Sequence, residues 1–135
     1  MVSYNHKASL TFAKRLYQYL HRNGFKTWID WNDIDNDMYT SMATAVESSD
    51  IILVILSNEY CNSEHCIKEC EYAWINRKHI LTIKHTDDFE FKGAVGTFRS
   101  INMQIICLAI YTWNHGTKKL MFQYVLEVIQ KMTFY

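Results

Sequence analysis

Among the side chains of this sequence, Glu69 has the type and position that most clearly invite chemistry. An apolar run, Ile51–Leu56, ends at Ser57; a short polar loop follows and leads into a helix that carries the acid in its early turns. In open parallel sheets, ligands collect outside the carboxyl ends of the strands. Ser57 and Glu69 therefore stand where a ligand would be met. The serine offers a hydroxyl, and the glutamate offers negative charge to a developing cation. Most glutamates simply face water, and Glu69 has Lys68 beside it and Glu71 nearby. Its place after the strand sets it apart from Glu59 and Glu64, which read as loop solvation.

The other reactive groups read as structural. Cysteines occur at 61, 66, 70 and 107. Their spacing fits no common zinc or disulfide frame, although His65 beside Cys66 makes a metal site conceivable. Cys66 and Cys70 are four apart and share one helical face, as small apolar core residues do. His65, His79 and His85 show no metal-ligand spacing. No metal site is expected.

The elements that must position Glu69 are punctuated without proline, which is absent. Residues 1–4 read as a short first strand. Leu10, Ala13, Leu16, Tyr17 and Leu20 recur at helical spacing, which predicts a helix over 8–23, ended by Asn23-Gly24. Aromatic and β-branched residues predict a second strand over 25–29. Residues 30–37 are acidic and turn-rich, hence a loop, and 38–48 form a helix with Met38, Met42, Ala45 and Val46 on one face. Ile51–Leu56 is apolar throughout, the pattern of a parallel strand covered on both faces. Asn62 or Ser63 caps a helix to about residue 77. His79–Lys84 is a fourth strand, and 105–111 a fifth. Residues 86–102 show no clear pattern beyond room for a short helix. Leu120, Met121, Tyr124, Val125, Val128, Ile129 and Met132 form one stripe on a closing helix over 116–132. Such alternation implies an α/β fold, a parallel sheet with helices on both faces. A flavodoxin-like, five-stranded order 2-1-3-4-5 is the simplest, with a ligand crevice near Asn5 and Ser57.

Composition bounds the rest. The chain has 135 residues, 49% of them apolar, which suits one domain with one sizeable core. Formal net charge is +0 and the basic residues are scattered, so no nucleic-acid partner is expected. No apolar run is long enough to span a bilayer, and no membrane contact is expected. The first seven residues lack an apolar signal-peptide core, so a cytoplasmic location is expected.

With these elements in place, the sequence resembles a Toll/interleukin-1 receptor (TIR) domain along nearly its whole length. Val2-Ser3-Tyr4 resembles the family's first box, and Gly24-Phe25-Lys26-Thr27-Trp28-Ile29-Asp30 the strand leading into the BB loop. Ser48-Ser49-Asp50 with the following strand and Ser57 is similar to the third-strand signature. Ser63-Glu64-His65-Cys66-Ile67-Lys68-Glu69 resembles the Ser-x-x-Cys-x-x-Glu motif of TIR domains that consume NAD. Tyr111-Thr112-Trp113 resembles the third box. The BB loop departs from that of animal receptors: it reads Asp30-Trp31-Asn32-Asp33-Ile34-Asp35-Asn36-Asp37, without the Pro-Gly pair, and so looks more like that of the enzymatic branch. Asn5-His6-Lys7 stands where enzymatic relatives often place Arg.

The resemblance implies an NAD+ glycohydrolase that releases nicotinamide and ADP-ribose or a cyclic ADP-ribose, in immune or cell-death signalling. Ordinary glycosidases use two carboxylates, one of them to protonate the leaving group. Nicotinamide in NAD+ is already cationic and departs neutral, so one carboxylate suffices, and Glu69 is the expected catalytic residue. Tyr4, Asn5, Trp31 and Ser57 are the expected substrate contacts, although Tyr4 also reads as packing at the end of the first strand. Trp31 and Ile34 are the expected BB-loop contacts of head-to-tail assembly with other TIR domains. NAD+ enters as substrate, with no separate cofactor. The rival expectation is a non-catalytic TIR adaptor that signals by TIR–TIR association; a nucleotide cyclase or nuclease ranks third. Residues 1–135 are expected to be a single TIR domain excised from a larger protein.

Overall fold

The computed structural model describes residues 1–30, 38–84, 104–106 and 117–133. At its centre lies a parallel sheet of four strands in the order β1-β2-β3-β4: β1 (Val2–Ser3), β2 (Ile51–Leu56), β3 (His79–Lys84) and β4 (Gln104–Ile106). Leu53 pairs with Val2 on one side and Leu81 on the other, and Ile83 pairs with Ile106. The all-apolar run Ile51–Leu56 is thus an interior strand, as its lack of alternation predicts.

Two cores form on the two faces of this sheet. Ile52, Val54 and Leu56 point into one, with Met42, Ala45 and Val46 of α2 (Met38–Glu47), Tyr60 of α3 (Asn58–Cys61), and Cys66, Cys70 and Ala73 of α4 (Glu64–Ile75). Leu53 and Ile55 point into the other. There they meet Phe12, Ala13, Leu16 and Leu20 of α1 (His6–Arg22) and Val125, Leu126 and Ile129 of α5 (Thr117–Thr133). Successive side chains of a strand alternate between faces, so one apolar strand seeds both layers. Cys66 and Cys70 are buried free thiols, in keeping with their spacing.

Caps set where the helices begin. The Asn5 side chain accepts from the backbone N–H groups of Lys7 and Ala8 at 3.1 and 3.2 Å, so α1 starts at His6, ahead of its apolar stripe. It ends at Asn23, and Gly24 turns the chain away with φ 84°. Ser57 caps α3 and Ser63 caps α4.

Several sequence expectations need correction. Residues 25–29 do not form a strand: Ile29 makes a single parallel bridge to Val2, and the Val2 N–H donates to the Trp28 carbonyl at 2.9 Å. The bridge lies on the side of β1 away from β2. β1 is only two residues long, which leaves little template for a longer ladder. The short helix α3 was not anticipated. On α5, Leu126 is buried and Tyr124 is exposed, which rotates the core-facing stripe from the one read off the periodicity. The loop with Trp31 and Ile34, residues 86–102 and residues 107–111 lie outside the described residues. Among the described residues no helix is long and apolar enough to cross a membrane.

Candidate active site

β1 ends at Ser3, and the chain turns at Tyr4 and Asn5 into α1. Its carboxyl end faces the start of α4, because β2, the strand beside it, leads through α3 into that helix. A cleft of about 540 Å³ opens there. Its lining comes from Ser3 and Tyr4, from Asn5, His6 and Lys7 at the start of α1, from Trp28 and Asp30, and from Glu59, Ser63, His65, Cys66 and Glu69.

Glu69 sits in this cleft with its side chain 12% exposed. The Ser3 hydroxyl donates to Oε2 at 2.6 Å. Oε1 lies 3.9 Å from His65 Nδ1, one helical turn earlier on α4. Behind Ser3, the phenol oxygen of Tyr60 lies 2.7 Å from Oγ. Ser3 spends its one proton on Glu69, so the Tyr60 phenol donates to Ser3. Burial raises the Glu69 carboxyl above the ordinary carboxylate range; Ser3 and then His65 oppose the shift, and Asp30 adds to it. Burial likewise pushes the Tyr60 phenol well above its usual value, which keeps it a donor.

The remaining residues anticipated from sequence fall into different roles. Tyr4 is buried, stacks on His6 with ring centroids 4.8 Å apart, and donates from its hydroxyl to the Asp30 carbonyl. It lines the cleft and ties residue 30 to its wall. Asn5 also lines the cleft, with its carbonyl oxygen engaged as the α1 cap and its amide donating to the Glu59 carbonyl at 3.4 Å. Ser57 is apart from the cleft lining: it is 1% exposed, and its hydroxyl accepts from the Tyr60 N–H at 3.0 Å. Trp31 lies outside the described residues.

Sequence reasoning passed over three members of this site. Ser3 is the direct partner of Glu69, 66 positions away in the chain, and no local signal announces that contact. His65 precedes Glu69 by four residues, a spacing that puts the two on one helical face and could have flagged the pair. Trp28 supplies an aromatic wall from the segment leading to Ile29.

Cys66 lines the cleft as a thiol engaged with the backbone. Burial raises its thiol pKa, and its Sγ points to the Tyr4 carbonyl at 3.8 Å. Among the described residues no three His, Cys, Asp or Glu side chains gather to hold a metal. Chemically the cleft offers one poorly solvated carboxyl, held at one oxygen by Ser3 and flanked at the other by His65. The family model described as TIR domain matches residues 1–110 of the chain. No curated protein sequence matches it.

Proposed function

The chain belongs to the TIR-domain family, and from that premise we propose that it cleaves the nicotinamide–ribose bond of NAD+ with Glu69 as the catalytic carboxylate. The supporting observation is the setting of Glu69 in the cleft at the carboxyl end of β1, with Oε2 held by Ser3. As nicotinamide leaves, positive charge builds on the ribose. A carboxylate of low solvation, already oriented, stabilises that charge without reorganising. The leaving group departs neutral and needs no acid, so the chemistry asks for one carboxylate. The five-stranded order 2-1-3-4-5 stays part of the same proposal, supported beside β1 only by the single bridge from Ile29 to Val2.

In this reading Tyr4 and Asn5 shape the floor and rim of the cleft, Trp31 stacks on a base of the dinucleotide, and Ser57 contributes by holding α3 in place. NAD+ is substrate, no separate cofactor takes part, and the products are nicotinamide with ADP-ribose or a cyclic ADP-ribose. The proposed setting is cytoplasmic immune or cell-death signalling, with other TIR domains as partners.

The test is NAD+ consumption by the purified domain at high protein concentration, with products identified by mass spectrometry. Glu69→Gln should abolish cleavage while the fold persists, and Glu64→Gln, at an exposed residue on the first turn of α4 that pairs with Lys68, should change it little. Near wild-type turnover by Glu69→Gln would remove the assignment. Absence of NAD+ consumption by the wild-type domain would instead leave the non-catalytic scaffold, acting through TIR–TIR association, as the function to pursue.

A further inference from the structure

We infer that Ser3, backed by Tyr60, is a positioning residue that fixes the orientation and charge of Glu69 through a one-way hydrogen-bond relay. The inference rests on the catalytic reading of Glu69 for its effect on turnover, but the relay itself can be measured without it. Three contiguous groups from three elements carry it: the phenol of Tyr60 on α3, the hydroxyl of Ser3 on β1 and the carboxylate of Glu69 on α4. Tyr60 is fully buried and Ser3 is 2% exposed, so the bond between them is closed to water, while the bond from Ser3 to Glu69 is part-buried at the cleft. A hydroxyl has one proton. Given to Glu69, it leaves Ser3 as acceptor toward Tyr60, and the buried phenol keeps its own proton. Both bonds therefore favour the carboxylate, against the burial that favours the acid. They also hold Oε2 on Ser3, while Oε1 lies on the His65 side, 3.9 Å from Nδ1.

Other charged and titratable groups face the same space: His6 and Lys7 on α1, Asp30, Glu59 on α3, and His65 and Cys66 on α4. Cys70 lies behind them in the core. His65 when protonated supports the carboxylate, and Asp30 opposes it. Neither makes the short contact that Ser3 makes, and the relay predicts a hierarchy that these charges would not produce. Ser3→Ala removes the donor. Tyr60→Phe removes only the group that orients the donor. Because Tyr60 acts through Ser3, the double variant should behave like Ser3→Ala alone, a non-additivity expected only of linked partners.

The experiment is a titration of the Glu69 carboxyl by 13C NMR, its signal assigned from its loss in Glu69→Gln. Ser3→Ala should raise the titration midpoint, Tyr60→Phe should raise it less, and the double variant should add nothing beyond Ser3→Ala. Ser3→Thr, which keeps the hydroxyl and suits a strand, should restore the wild-type midpoint. In NAD+ cleavage, Ser3→Ala should lower kcat about tenfold near neutral pH, with KM within about threefold. Its acid limb should move to higher pH, and Ser3→Thr should recover both. A folded Ser3→Ala protein that titrates like wild type, or a double variant with fully additive shifts, would overturn the relay. If Ser3→Ala loses its cooperative melt, Tyr60→Phe decides: no upward shift there also overturns it. Glu69→Gln that still cleaves NAD+ would instead defeat the catalytic reading, with the titration result standing independently.

Discussion

Glu69 carries a cost that should be visible in stability. Burial raises its carboxyl pKa in the folded protein. A raised folded value means that Glu69 supports folding most below its ordinary unfolded value, and that this support is lost as pH rises through the folded one. At neutral pH, above the ordinary glutamate value, the burial of Glu69 therefore costs stability. Glu69→Gln should raise Tm by about 2–5 °C at pH 7–8, the size expected for relieving one such group. The gain should shrink toward zero as pH falls to about 4, the ordinary range of a glutamate. Thermal melts of both proteins across that interval check it; an equal or lower Tm for Glu69→Gln at neutral pH contradicts it. A side chain kept at a stability cost is the signature of a functional group. The place of Glu69 on the helix after β2 was legible in the sequence, from the strand, loop and helix pattern together with the family motif that Ser63–Glu69 resembles. Its partner was not. Ser3 reads as an ordinary residue of a short strand, and only the pairing of β1 with β2, which carries α3 and α4 behind it, brings the hydroxyl to the carboxylate.

The elements are fixed by caps as much as by apolar periodicity. Ser57 and Ser63 occupy successive N-caps, six residues apart, and they differ in kind. Ser57 is buried and accepts from Tyr60 N–H at 3.0 Å; Ser63 is half-buried and accepts from Cys66 N–H at 3.4 Å. Ser57→Ala should cost about 1–2 kcal/mol, because it strands a buried donor. Ser63→Ala should cost about 0.5–1 kcal/mol, because water can reach its site. Urea unfolding with unchanged m-values measures both, and equal costs would count against the difference in burial. The same residues show where the sequence speaks and where it does not. β2 and β3 were legible with their bounds, since their apolar or β-rich runs are bracketed by polar residues. α3 was not, because four residues cannot display a helical period. Residues 25–29 carry strand-like side chains, but strand formation needs a partner ladder, and a two-residue β1 provides one bridge. Sequence reports propensity; the neighbour decides whether it is used.

At the scale of the whole molecule, the two cores and the parallel sheet followed from one feature, the unbroken apolar run of β2, which demands cover on both faces. The cleft follows in turn, because parallel strands with helical crossovers all present their carboxyl ends on one side. The expected behaviour of copies of the domain follows from the sequence of residues 30–37. Between Asp30 and Asp37 the chain sets Trp31 and Ile34 among four aspartates. Apolar side chains within a polar surround are the composition of a contact patch, and tryptophan is the residue most often found carrying the energy of one. Like-charged aspartates oppose close approach unless a partner brings lysine or arginine, and salt screens both effects. Contacts between unlike surfaces of identical copies can propagate head to tail. Association should therefore be weak and salt-sensitive: largely monomeric domain in dilute solution, with specific NAD+ cleavage rising as protein concentration rises. Trp31→Ala or Ile34→Ala should lower both association and specific activity, while the Glu69 titration stays as in wild type. Sedimentation and activity measured on the same samples across a hundredfold range of protein concentration decide the matter. Specific activity that is flat across that range and unmoved by either loop substitution would mean that one chain holds the complete site. Activity that rises with concentration but survives both substitutions would place the contact elsewhere on the surface.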